Sequence, residues 1–176
     1  MRNDKELAEA RKLLSKWRRH PLQWVGDNFP GIKLSTQQRE FFAALGDLVD
    51  AKIKRGNGEE LSEKELELSR KVGISISAGQ GVGKDFISAL AIYWFLWVNP
   101  RAEKHEKYNS QDKPRVVATG VNAKHLRNVL WAELSKIAML SKCVDEAGGK
   151  PLFKELFDWQ TEKLTYKDKR YEKWFD

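Results

Sequence analysis

The sequence predicts an α/β protein: a parallel sheet flanked by helices, incomplete within these 176 residues and preceded by a helical N-terminal segment. Three observations lead there. Val72 to Ala78 (VGISISA) alternates and is rich in β-branched residues, the pattern of a strand. A glycine-rich turn follows at once and opens onto the apolar run Phe86 to Val98. A second short segment, Arg115 to Thr119 (RVVAT), reads as a buried strand and leads into another helical pattern. Strand, glycine turn, helix, strand, helix is the order from which a parallel sheet begins.

The N-terminal 70 residues read as helices. Leu7, Ala10, Leu14 and Trp17 recur at helical spacing between about Lys5 and Trp17. Pro21 opens a second short helix, which Phe29, Pro30 and Gly31 end near Asn28. Ser35 can cap a long helix from Thr36 to about Lys54, with Phe41, Leu45, Leu48 and Ile53 as its apolar positions. Gly56, Asn57 and Gly58 stop it, and a charged helix follows from about Ser62 to Arg70. In the remaining part, residues 71–176, Asn99 and Pro100 end the apolar helix and Arg101 to Pro114 reads as an exposed loop. Asn122 can cap a third long helix reaching about Leu140, and Gly148 with Gly149 breaks the chain again. Leu152 to Phe157 suggests a helical turn, and Leu164 to Lys167 a short strand.

Composition narrows the class. The chain carries 32 Lys and Arg against 25 Asp and Glu, a net charge of +7, which suits a polyanionic partner without establishing one. Its single cysteine, Cys143, excludes an intrachain disulfide and suits a reducing compartment. The charged N-terminus has no apolar stretch of a secretory signal, and Phe86 to Val98 is too short to span a bilayer. His20, His105 and His125 have no metal-ligand spacing, so no structural zinc is expected.

The chemistry concentrates in Ala78-Gly79-Gln80-Gly81-Val82-Gly83-Lys84-Asp85, followed by Phe86, between the expected strand and helix. Glycines let a backbone wrap a phosphate chain with its N–H groups turned inward. A helix start at Gly83 adds its dipole, and Lys84 supplies positive charge for the β- and γ-phosphates of a nucleoside triphosphate. This is the pattern of a P-loop (Walker A) with ATP as ligand, and Lys84 is its candidate catalytic residue. Two positions depart from the pattern. Ala78 replaces the first glycine, a mild change. Asp85 stands where a serine or threonine hydroxyl normally meets Mg²⁺. A carboxylate can ligate Mg²⁺ itself, but it also sets a negative charge beside a triphosphate unless the metal lies between. The competing reading is a glycine turn that binds nothing.

SISAGQGVGKDFISALAIYWFLW resembles the P-loop and following helix of phage terminase large subunits, the ATPase motors that package viral DNA into capsids. PLQWVGDNFPGIKLSTQQREFFAAL is similar to the segment upstream of that loop in the family, and RVVATGVNAKHLRNVLWAEL to its second conserved strand and helix, which are helicase-like. The likeness runs from about Pro21 to the C-terminus. It implies a helicase- or terminase-like P-loop NTPase fold, ATP with Mg²⁺ as cofactors, and Gln38 as the residue contacting adenine, with Gln37 where the family carries an aromatic. Thr119 and Asn122 would lie near the ATP site or the DNA path. The partners it implies are double-stranded DNA, a small terminase subunit and a capsid portal, in a homo-oligomeric ring, with no membrane, in the cytoplasm of the host of a bacteriophage. Gln80 stands where arginine or histidine is common and cannot supply a transition-state charge. Asp145 and Glu146 in LSKCVDEAGG read as the end of a helix rather than a Walker B pair; the resemblance implies that the Walker B carboxylates lie beyond Asp176 and that the family's C-terminal nuclease domain is not expected within these residues.

Two other readings of the residues stay open: a helicase-like, nucleic-acid-dependent P-loop ATPase, and a non-hydrolysing nucleic-acid-binding module with a vestigial P-loop. The basic run around Arg11, Lys12, Lys16, Arg18, Arg19 and His20 could contact DNA phosphates or be a solvated helix face. Trp94, Trp97 and Trp131 fit a core. Trp17 and Trp24 could pack between helices or stack on a base.

Overall fold

A computed structural model describes residues 4–77, 83–98, 116–119, 122–140, 157–159 and 164–166. The chain divides into two compact units. The first comprises Met1–Asp27 and Ile32–Val82, the second Asn28–Gly31 and Gly83–Asp176.

The first unit is built of helices α1 (Asp4–Arg19), α2 (Pro21–Asn28, its last residue falling in the second unit), α3 (Thr36–Asn57) and α4 (Glu63–Arg70). Local chemistry accounts for their ends. Pro21 occupies the first position of α2, where its missing N–H costs no helical bond. Ser35 caps α3 through a reciprocal box: its Oγ accepts from the Gln38 N–H at 3.3 Å and its own N–H donates to Gln38 Oε1 at 3.0 Å. Ser62 and Glu65 repeat the device at the start of α4. At the far end of α3, Gly58 adopts φ 72°. Its N–H bonds to the Arg55 carbonyl while Glu59 N–H bonds to that of Lys54, the two-bond closure that favours glycine.

α3 is the central helix, packing against both α1 and α4. It therefore buries more than one stripe. Phe42, Gly46, Leu48 and Ala51 are inside, whereas Phe41, Leu45 and Ile53, expected from a single apolar face, are only half-buried. Trp24, Val25 and Leu34 of the same unit are also buried. Trp17, half-buried, donates its indole N–H to Asp27 at 2.8 Å, so both tryptophans flanking the basic turn are engaged in packing.

An ion-pair network joins α1, α3 and α4. Arg19 meets Asp50 at 2.6 Å and Glu59 at 3.6 Å. Lys54 meets Asp50 at 3.1 Å and Glu65 at 2.6 Å. Partial burial pushes the Asp50 carboxyl up, but hydrogen bonds from Lys54 and Arg19 outweigh it and its pKa lies below normal. Hydrogen bonds to Glu65 and Asp50 raise that of Lys54. The Lys54 hydrogen bond, with further ones from the Ser62 hydroxyl and backbone, holds Glu65 at about 2, below its ordinary 4.5. A carboxyl depressed in the folded state contributes stability above its unfolded pKa and loses it as pH falls through the folded value. The stabilisation from Glu65 should therefore be complete above about pH 5 and vanish toward pH 2. Urea denaturation across that range should show Glu65→Gln with a flatter pH dependence than the parent; parallel curves would mean the network does not hold in solution.

The second unit centres on α5 (Lys84–Val98), followed by α6 (Ala123–Leu126), a π-helical turn (Arg127–Trp131) and α7 (Ala132–Leu140). α5 is apolar around most of its circumference and buries Ile87, Ala89, Leu90, Tyr93, Trp94 and Val98. Leu130, Leu134, Ile137 and Ala138 are the buried residues of the π turn and α7, which both pack on α5. Trp97 and Trp131, expected inside, are half-buried. Asn122 precedes the helix, as expected, and its carbonyl accepts from Leu126 N–H at 3.2 Å. The Tyr93 hydroxyl donates to the Leu134 carbonyl at 2.8 Å, and burial pushes its pKa far above the ordinary value, so it stays a neutral donor. Tyr93→Phe should cost about 1 kcal/mol, read as a lowered midpoint in thermal or urea unfolding; an unchanged midpoint would show that the bond contributes no net stability.

The expected parallel sheet is not what forms. Helices dominate, and the strand pairing among the described residues is an antiparallel hairpin, β1 (Phe157–Trp159) with β2 (Leu164–Tyr166), in the register Phe157 to Tyr166, Asp158 to Thr165 and Trp159 to Leu164. β2 coincides with the strand expected near Leu164, whereas Phe157, expected to end a helical turn, lies in a strand. Lys71 to Ser77 carries the alternating pattern but forms no strand and is exposed throughout; Val72 is fully so. Val116 to Thr119 is likewise unpaired and exposed, with Val117 at 83%. The reason is physical: alternation sets which side chains share a face, but a strand exists only when a neighbour about 4.8 Å away takes its N–H and C=O groups. The two segments belong to different units, and neither has such a neighbour among the described residues. The expected loop Arg101 to Pro114, the break at Gly148 and Gly149, Cys143, and the pair Asp145 and Glu146 lie outside the described residues.

Candidate functional site

The site suggested by the glycine-rich stretch is described from Gly83 onward; Ala78, Gly79, Gln80, Gly81 and Val82 lie outside the described residues. Gly83 has φ 75°, a left-handed conformation that a side chain would strain. Its carbonyl accepts the Ile87 N–H at 3.0 Å, which makes it the residue on which α5 is hung. Lys84 is then the first helical residue, half-buried, with Asp85 exposed and Phe86 half-buried in the same turn.

That arrangement has definite electrostatics. The N–H groups of a first helical turn have no carbonyl partner within the helix, and the aligned peptide dipoles place partial positive charge there. α5 has 15 residues, enough for the full effect. Lys84 adds a whole charge at the same end. Asp85 is favourably placed against the dipole when no anion is bound, and is the carboxylate nearest in sequence to any Mg²⁺ carried in by a triphosphate. Among the described residues there is no group of three or more His, Cys, Asp and Glu side chains that could hold a metal. Mg²⁺ does not need one: it is commonly held by one or two carboxylates together with substrate phosphates and water, a set to which Asp85 can contribute.

A second lysine lies nearby in the same unit. Lys136 of α7 places its Nζ 5.9 Å from the centroid of the Phe86 ring and 3.5 Å from Glu133 Oε2. Sequence reasoning missed it, because fifty residues separate Phe86 from Lys136 and only the packing of α7 on α5 brings them together.

No family model matches this sequence, and no curated protein or solved structure is similar to it. The site therefore rests on its own residues.

The other candidate residues belong to the first unit. Gln38, assigned to adenine through the resemblance, is half-buried and uses its side-chain oxygen as the acceptor of the Ser35 capping box. The motif was legible as S-x-x-Q in Ser35 to Gln38. Adenine recognition by Gln38 would have to use the second lone pair of that oxygen or the side-chain amide N–H groups. Of the basic run, Arg11, Lys12 and Lys16 are exposed on α1. Arg18 is half-buried, and burial lowers its pKa. Arg19 is engaged by Asp50 and Glu59. No helix among the described residues is long and apolar enough to cross a membrane.

Proposed function

We propose that this chain binds ATP with Mg²⁺ on the stretch Ala78 to Phe86 and serves as the ATP-binding portion of a DNA-packaging motor of the terminase large-subunit kind. One observation carries the nucleotide half of the reading: a left-handed glycine, Gly83, hands the chain directly to Lys84 at the start of a 15-residue helix. Glycines before a helix N-terminus with lysine at its first position suit the charge and shape of a triphosphate. The motor half rests on the resemblance of SISAGQGVGKDFISALAIYWFLW and its flanks. By that resemblance the chain works in the host cytoplasm on double-stranded DNA, alongside a small subunit and a capsid portal, in a ring of like subunits.

The test is a titration of the purified chain with a fluorescent ATP analogue, with and without Mg²⁺. Binding that requires Mg²⁺ in the parent and loses that requirement in Asp85→Ala supports a carboxylate-held metal at the loop. Absence of nucleotide binding, with salt-sensitive DNA binding retained, would replace this reading with a nucleic-acid-binding module whose glycine loop is vestigial. Coupled strand separation without portal association would favour a helicase.

A further inference from the structure

We propose that the exposed basic face of α1 binds the phosphate backbone of double-stranded DNA, with Lys12 and Lys16 as its principal contacts. This deepens the DNA half of the function above by naming the surface.

The charge distribution is the first ground. From Ala10 to Gly26 the chain carries five Lys and Arg and no Asp or Glu. Asp4, Glu6 and Glu9 precede that window on α1, so the positive charge is concentrated in the C-terminal part of the helix. Geometry is the second. At 100° per residue, Lys12 and Lys16 fall about 40° apart on α1, on the side away from Leu7, Ala10, Leu14 and Trp17, with the exposed Glu9 on the same side one turn earlier, beside Lys5. Lys12 and Lys16 are both exposed. At 1.5 Å per residue, Lys12 and Lys16 stand about 6 Å apart along the axis, close to two phosphate steps of one DNA strand at 3.4 Å each. Arg19 lies on the same side but is occupied by Asp50 and Glu59. The third ground is how α1 is held. Bonds from Trp17 to Asp27 and from Arg19 to Asp50 anchor its last turn, where Gly46 also comes close to the Arg19 carbonyl. Lys12 and Lys16 are thus carried on a helix whose last turn is fixed. Such lysines meet phosphates as point charges and read no base sequence, so the contact suits a protein that must hold any DNA passing it.

The experiment uses a fluorescein-labelled 20-base-pair duplex, with anisotropy recorded between 50 and 200 mM KCl and no nucleotide present. A failure then leaves the ATP site untouched, and a failed ATP titration leaves this surface untouched. Lys12→Ala/Lys16→Ala is compared with Lys52→Ala/Arg55→Ala, which removes the same charge from exposed positions on α3. Each lost phosphate contact lowers the salt slope by about 0.9, so the α1 variant should lose about 1.8 from the slope. Across that salt range the parent's affinity should fall about tenfold more than the variant's. The α3 variant should keep the parent slope. Alanine favours helix, so the loss cannot be assigned to unwinding of α1, and circular dichroism checks this. Equal slopes for the two variants overturn the proposal. So does a parent that binds no duplex, or one that binds only vesicles of phosphatidylserine.

Discussion

Lys84→Ala is expected to weaken Mg²⁺–ATP binding about ten- to a hundredfold. The lysine stands at the first position of α5, half-buried, where the helix dipole already favours an anion. A hydrogen bond to a charged group is worth about 1.5–3 kcal/mol, and each 1.4 kcal/mol is tenfold in affinity. The substitution removes that contact while leaving α5 intact, since alanine is the best helix former. Titration of the fluorescent analogue reads the loss directly. Lys84→Arg separates charge from geometry: a compact ammonium and a planar guanidinium present donors differently, so arginine should recover only part of the affinity. Equal affinity in the parent and Lys84→Ala would remove the nucleotide-binding reading, whatever the sequence motif suggests.

Gly46→Val should destabilise the first unit by about 1–3 kcal/mol. A Cβ at Gly46 would lie 3.0 Å from the Arg19 carbonyl oxygen and 3.1 Å from Pro21 Cδ. Neither neighbour is a flexible side-chain end: one is backbone, the other a ring fixed to it. Valine adds two methyl groups beyond that Cβ, so the corner between α1 and α2 must move off α3. Its better helix propensity returns less than 1 kcal/mol. Urea denaturation should show a lowered midpoint, with Gly46→Ala between valine and the parent or close to the parent. A valine variant as stable as the parent would mean the corner relaxes without cost. The movement would also reach the Arg19 pairs, because the oxygen that is struck belongs to Arg19.

Much of the helical framework was legible because helix ends are local chemistry. Pro21, Ser35, Ser62 and the Gly56-Asn57-Gly58 run each act within a few residues of where they stand, and the helices begin and end beside them. The strand at Leu164 was legible, but strand pairing was not, for the opposite reason. VGISISA has a period of two and β-branched residues, yet Lys71 to Ser77 has no strand partner among the described residues, while Phe157 to Trp159 pairs with Leu164 to Tyr166. A partner supplies the hydrogen bonds, and its identity is not written in the alternation. The candidate site divides in the same way. Lys84, Asp85 and Gly83 could be picked out from the stretch itself. Gln38 as a capping residue was overlooked in favour of adenine, although Ser35 to Gln38 carries the capping pattern.

The amino-acid order alone determined where most of the helices begin, the basic face of α1 and the glycine–lysine start of α5. All three depend on neighbours a few residues away. Tertiary structure alone decided that α3 buries two faces rather than one, that Gly46 admits no side chain, that Arg19 is tied to Asp50, and that Lys136 lies over the Phe86 ring. These depend on which helix packs on which, and the free energy that selects the packing is summed over many apolar contacts distant in sequence.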